Sequence, residues 1–127
     1  MIRYNYNRQI NPPAPFVHVA IEGPSANGAT VEMPAQLDLA ADLSVIPWSV
    51  VEELQLIQFG EQVVGGFGGY TMEIPTFLVR IGLRGQPLFP IKVLGSRDES
   101  FVLLGRDVLN RLYLVLDGPN LVLEIHS

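Results

Sequence analysis

The chain has 127 residues, a formal net charge of -5 and no cysteine. That length fits one domain with one modest core, and 48% hydrophobic residues argue against a disordered body. Disulfides, thiol catalysis and zinc–thiolate sites are excluded. No Lys/Arg cluster exists to neutralise nucleic-acid phosphates, and no apolar run approaches the ~20 residues that cross a bilayer.

Residues 1–15 mix Tyr, Asn and Arg and end in Asn11-Pro12-Pro13-Ala14-Pro15. Proline fixes φ and has no N–H to donate. The segment is expected as an extended arm before a domain over 16–127, or with equal weight as a frayed tail. Its polar start lacks the apolar core of a secretory signal, so the expectation is a cytoplasmic chain or a trimmed one.

Phe16 to Gly23 alternates and is rich in Val and Ile, which predicts a strand. Pro24 to Gly28 reads as a turn, with Asn27-Gly28 a hairpin signal. Thr30 to Met33 returns as a strand, and Pro34 to Leu37 leads on to Asp38. In Trp48 to Leu54, Val50, Val51 and Leu54 share a face at helical spacing and the two Glu lie opposite. A short helix follows, with Trp48 as a buried anchor.

Val63-Val64 enters a glycine cluster and Tyr70 to Ile74 leaves it. Phe77 to Leu83 and Leu88 to Leu94 are further strands around an Arg84 to Pro87 turn, with Pro90 marking an edge or bulge. Phe101 to Leu104 is a short apolar strand that Gly105 breaks. Asp107 to Leu112 reads as one or two helical turns. Tyr113 to Leu116, Asp117 to Asn120 and Leu121 to Ile125 form strand, turn and strand. Many short strands, turns every eight to twelve residues or so, and two short helices predict a mainly β barrel or sandwich.

Three stretches carry chemistry. Leu37-Asp38-Leu39-Ala40-Ala41-Asp42-Leu43-Ser44-Val45-Ile46-Pro47 sets an acid in an apolar run. Gly65-Gly66-Phe67-Gly68-Gly69 lies in a hairpin. Leu103-Leu104-Gly105-Arg106-Asp107 opens the second helix. Taken alone, Asp38 is a turn or cap residue, and the glycines fit any hairpin. A phosphate loop would need a following Gly-Lys-Ser/Thr. His18 and His126 lack metal-ligand spacing, and no Ser-His-Asp arrangement can be argued. Neither metal nor cofactor is implied. Carboxylates hydrolyse peptides in pairs, one activating water while the other polarises or protonates. The chain offers one suitable acid and no second copy of its segment. A dyad therefore needs two chains about a two-fold axis.

In this order the three motifs resemble the retropepsin family of aspartic peptidases, from about Phe16 onward. The resemblance implies a closed acid-protease-type β-barrel with one or two short helices and a flap hairpin. It implies a homodimer that hydrolyses an extended peptide, with no nucleic acid and no membrane as partner. Asp38 matches the catalytic acid, and Leu39, Ala40 and Ala41 continue its loop. Gly65, Gly66, Phe67, Gly68 and Gly69 match the flap tip that closes over substrate. Leu103, Leu104 and Gly105 match the apolar-apolar-Gly element beside the catalytic loop. Asp42 and Arg106 match an ion pair that braces loop and dimer, and Tyr113 to Ile125 resembles the terminal strands of the dimer interface. Leu39 stands where the family has Thr or Ser, whose hydroxyl links the two loops, and Ala40 stands where it has Gly. Two Leu39 side chains can instead pack on each other. An alternative follows: an inactive dimeric domain that binds peptides or serves assembly.

Overall fold

The computed structural model describes residues 1–24 and 28–127. The turn expected over Pro24 to Gly28 falls mostly on residues outside that description. The elements are β1 (Ile2–Asn5), β2 (Phe16–Glu22), β3 (Thr30–Leu37), β4 (Val45–Pro47), α1 (Trp48–Glu53), β5 (Gly60–Gly65), β6 (Thr71–Leu83), β7 (Phe89–Ser96), β8 (Val102–Leu104), α2 (Arg106–Leu109), β9 (Tyr113–Asp117) and β10 (Val122–His126).

The sheet runs β2-β3-β8-β4-β7-β6, and β6 pairs back onto β2. Val19 faces Leu83 and Ile21 faces Ile81 across that seam. The result is a closed, mainly β barrel, in which closure removes the open edges of a flat sheet. β5 pairs only with β6, outside the ring, as one arm of a hairpin. The interior is filled by Val17, Val19, Ile21, Ile46, Phe77, Val79, Ile81, Val93, Val102 and Leu104. Burying a side chain of this size contributes about 1.5–3 kcal/mol. In α1, Val50 and Val51 are buried and both Glu are exposed, as the spacing predicts. Trp48 is half-buried, edge-on to Phe77 at 5.7 Å.

Prolines interrupt the strands less than the sequence suggests. β3 continues through Pro34 to Leu37. β6 is one strand where two were expected, because Pro75 lies one residue before the β7 ladder begins at Thr76 opposite Leu94. Its missing N–H costs no bond to β7. Pro90 lies where β7 has only β6 beside it, since β4 joins β7 at Leu94 to Ser96; that is a local edge. α2 is a single turn, the shorter of the one or two turns expected over Asp107 to Leu112, and it begins one residue earlier, at Arg106. Arg111 and Leu112 donate to Val108 and Leu109 in tight i to i−3 bonds.

Residues 2–5 are docked. β1 pairs antiparallel with β10, and β10 with β9, in a three-stranded sheet. Arg3 lies opposite Glu124 and bonds its carboxylate at 2.8 Å. That bond, with a second from His126, holds the Glu124 carboxyl below its ordinary value. Among the described residues, no helix is long and apolar enough to cross a membrane.

Candidate active site

β3 and β8 run parallel, Leu37 beside Leu104, and β8 lies between β3 and β4. The chain leaving β3 must therefore cross the end of β8 to enter β4. Residues 38–44 make that crossing, and Asp38 is its first residue. The Asp38 N–H donates to Leu104 O at 2.9 Å, which carries the ladder one residue past the strand. The Asp38 Oδ1 accepts the Ala40 N–H at 3.2 Å, and Ala41 N–H donates to Asp38 O at 3.2 Å. These local bonds turn the backbone tightly. Asp38 is half-buried, while Leu39 (54% exposed) and Ala40 face outward.

The crossing is held from beneath. A Cβ at Gly105 would sit 2.7 Å from the Leu43 carbonyl carbon and 3.0 Å from Ala41 O. Only glycine lets the loop lie this close. Arg106 donates its backbone N–H to Ala41 O at 2.9 Å and its guanidinium to Leu39 O at 2.8 Å. The same guanidinium forms an ion pair with Asp42. Leu104 is fully buried in the core and Leu103 pairs with Val45 of β4.

A second clamp is absent from the sequence expectations. Ser44 is wholly buried. Its hydroxyl donates to Asp107 Oδ1 at 2.8 Å and accepts the Gly105 N–H at 3.0 Å. Its N–H donates to Asp107 Oδ2 at 3.0 Å, and Val108 N–H donates to Asp107 Oδ1 at 2.9 Å. One carboxylate thus satisfies both the loop and the start of α2. The signals were a lone hydroxyl in an apolar run and an acid in a helical first turn; neither names the other as partner.

The hairpin pairs from Gly60 opposite Thr76 to Gly65 opposite Thr71. Phe67–Gly69 forms a 3-10 turn at its tip, and Gly66 N–H donates to Tyr70 O at 2.9 Å. Gly68 and Gly69 have φ of +77° and +78°, a region glycine enters without strain. All four tip glycines are exposed. On the stem, the Glu73 carboxyl is held above its ordinary value by a hydrogen bond with Glu61, then by that group's charge.

Between hairpin and loop lies a cleft of about 610 Å³. Residues 40–43 and Val45 form one side, 62–65 the other, and Lys92 and Leu94 of β7 close the wall. It reaches the loop at Ala40, two residues from Asp38. This size falls in the range of ligand-binding clefts, about 300–1,000 Å³. Among the described residues, no group of three or more His, Asp or Glu is placed to hold a metal ion.

Two solved structures share this architecture. The EIAV protease complexed with the inhibitor HBY-793 superposes with a TM-score of 0.62 at 24% identity, over 85% of this chain and 93% of that one. A retropepsin-like aspartic protease from Rickettsia conorii gives a TM-score of 0.69 at 15% identity, over 98% of this chain and 88% of that one. No protein-family model and no curated protein matches the sequence.

Proposed function

We propose that this chain, which has the retropepsin-like fold, is an aspartic endopeptidase that works as a homodimer with one Asp38 from each protomer. The observation that carries this reading is the crossing loop. It holds a half-buried carboxylate two residues from Ala40, where the cleft meets the loop, and the loop is braced by Gly105, Arg106 and the Ser44–Asp107 clamp. One chain supplies one such acid. Leu39, Tyr113, Val115 and Leu116 are exposed apolar residues, and β1 and β9 are the open edges of their sheet. Such features suit an isologous contact with a second copy.

Two carboxyls brought together share one proton, because like charges repel. The ionised one takes a proton from water, whose oxygen bonds to the peptide carbonyl carbon. The protonated one donates to the carbonyl oxygen. The tetrahedral intermediate then collapses, the C–N bond breaks and the amine leaves with a proton. The hairpin closes over an extended peptide and excludes bulk water.

A second reading rests on Leu39 and Ala40. Leu39 has no hydroxyl to link two loops, and a dimer held by Leu39 contacts can bind peptides without cleaving them. Cleavage of a peptide library separates the two. The peptidase reading expects hydrolysis, strongest on the acid side of neutral and abolished by Asp38→Asn. Silence in the unmodified chain with cleavage by a Leu39→Thr, Ala40→Gly double variant would mean a protease fold switched off at two residues, with function to be sought in binding.

A further inference from the structure

We propose that Lys92 selects peptides with an acidic side chain in the cleft beneath the hairpin. The inference rests on peptide binding at this site and names the class of peptide it takes.

Lys92 is the only lysine in the chain. It lies in β7, half-buried, and lines the cleft with Leu94, Val45 and Gln62. The other basic side chains are accounted for among the described residues. Arg3, Arg80 and Arg106 pair with Glu124, Glu22 and Asp42. Arg97 lies 3.9 Å over the Trp48 ring and Arg111 lies 4.0 Å over Phe89. Arg8 and Arg84 stand in open solvent. Among the described residues, Lys92 alone of these side chains is half-buried with neither a carboxylate nor an aromatic face against it.

A cation withdrawn from water without a counter-charge is costly. That cost is relieved when a ligand brings the carboxylate. Asp42 also lines the cleft, but its charge is already engaged by Arg106. The charges of Asp42, Arg106 and Lys92 therefore leave one unit of positive charge at this wall. The neighbouring lining residues Leu43, Val45, Val64 and Leu94 are apolar, which suits the methylenes of a glutamate and weakens screening around its carboxylate. An apolar side chain fills the same space but leaves the ammonium unpaired; a basic one meets like charge.

The test uses a pool of randomised hexapeptides in which a hydroxyethylene link replaces the central peptide bond, so that recovery does not depend on cleavage. The pool is passed over the unmodified chain and over Lys92→Gln and Lys92→Glu variants, and the bound fractions are sequenced. In the unmodified chain, Glu is expected over Gln at one position by roughly two- to fivefold, the range of a partly exposed ion pair. The preference falls towards one in Lys92→Gln and inverts towards Lys and Arg in Lys92→Glu. It also weakens in the unmodified chain at high salt. Absence of any Glu-enriched position, or one that survives Lys92→Gln, overturns the proposal. Glu enrichment alongside failure to cut the corresponding ordinary peptides leaves Lys92 as the selector and removes the peptidase reading.

Discussion

Glycine does opposite work at the two faces of the cleft. Gly105 lies under the crossing loop, where a Cβ would be within 3.0 Å of three backbone atoms of Leu43 and Ala41. Gly65 and Gly66 lie at the hairpin tip, where a Cβ would meet nothing within 4 Å. The first glycine allows close packing and the second frees a backbone. The loop that carries Asp38 is tied by a buried clamp and an ion pair, whereas the tip is held by backbone alone among the described residues, through its 3-10 turn and a bond from Gly66 N–H to Tyr70 O. In the proposed peptidase, a braced acid and an exposed hairpin tip suit a peptide threaded between them.

The contrast breaks first at Gly105. Gly105→Ala drives a methyl into backbone that cannot swing aside, so the overpacking cost should reach about 3 kcal/mol. The thermal midpoint should fall by roughly 10 °C, and cleavage should vanish with it. Asp107→Ala should rank second. It strips partners from the Ser44 hydroxyl and N–H and from Val108 N–H, at about 1–3 kcal/mol. Denaturant melts would show the loss, and Asp107→Asn should recover part of it.

Acid acts in opposite directions on the hairpin stem and the terminal sheet. Glu73 is held above its ordinary value, so the folded stem binds the proton more tightly than the unfolded chain does. Its contribution is greatest when protonated and is lost as pH rises from the ordinary carboxylate value through the raised one. Glu124 is held below its ordinary value, so its contribution is present above that value and is lost as pH falls. Thermal midpoints across the acid range should show Glu73→Gln removing the first trend and Glu124→Gln the second. Gly66→Ala should have the smallest effect. Its φ of -131° is ordinary for alanine, and stability should stay within about 0.5 kcal/mol of the parent.

The barrel was legible because its strands announce themselves locally. Val17, Val19 and Ile21 alternate, and alternation needs no knowledge of the partner strand. The prolines misled where local chemistry was asked a tertiary question: whether Pro75 ends a strand depends on where β7 begins. Asp38, the glycine tip and Gly105 stand out through the order of three motifs that resemble a known family, since by residue type alone each fits an ordinary turn or hairpin. Ser44 and Asp107 do not, since each is ordinary until the fold brings them together across 63 residues. The docking of β1 is hidden for the same reason, as Arg3 and Glu124 are 121 residues apart. Lys92 was read as one residue of a strand, and its place on the cleft wall follows only from the packing of the hairpin against β7.

The central claim is that two chains each lend Asp38 to one site. Mixing the unmodified chain with Asp38→Asn protein, under conditions where protomers exchange, tests it directly. If both carboxylates are required, random pairing in an equal mixture leaves active pairs as about one quarter of the total. Peptide cleavage should then fall to about one quarter of that of the same total concentration of unmodified chain. A fall to only about one half would mean that each chain works alone and would contradict the shared site.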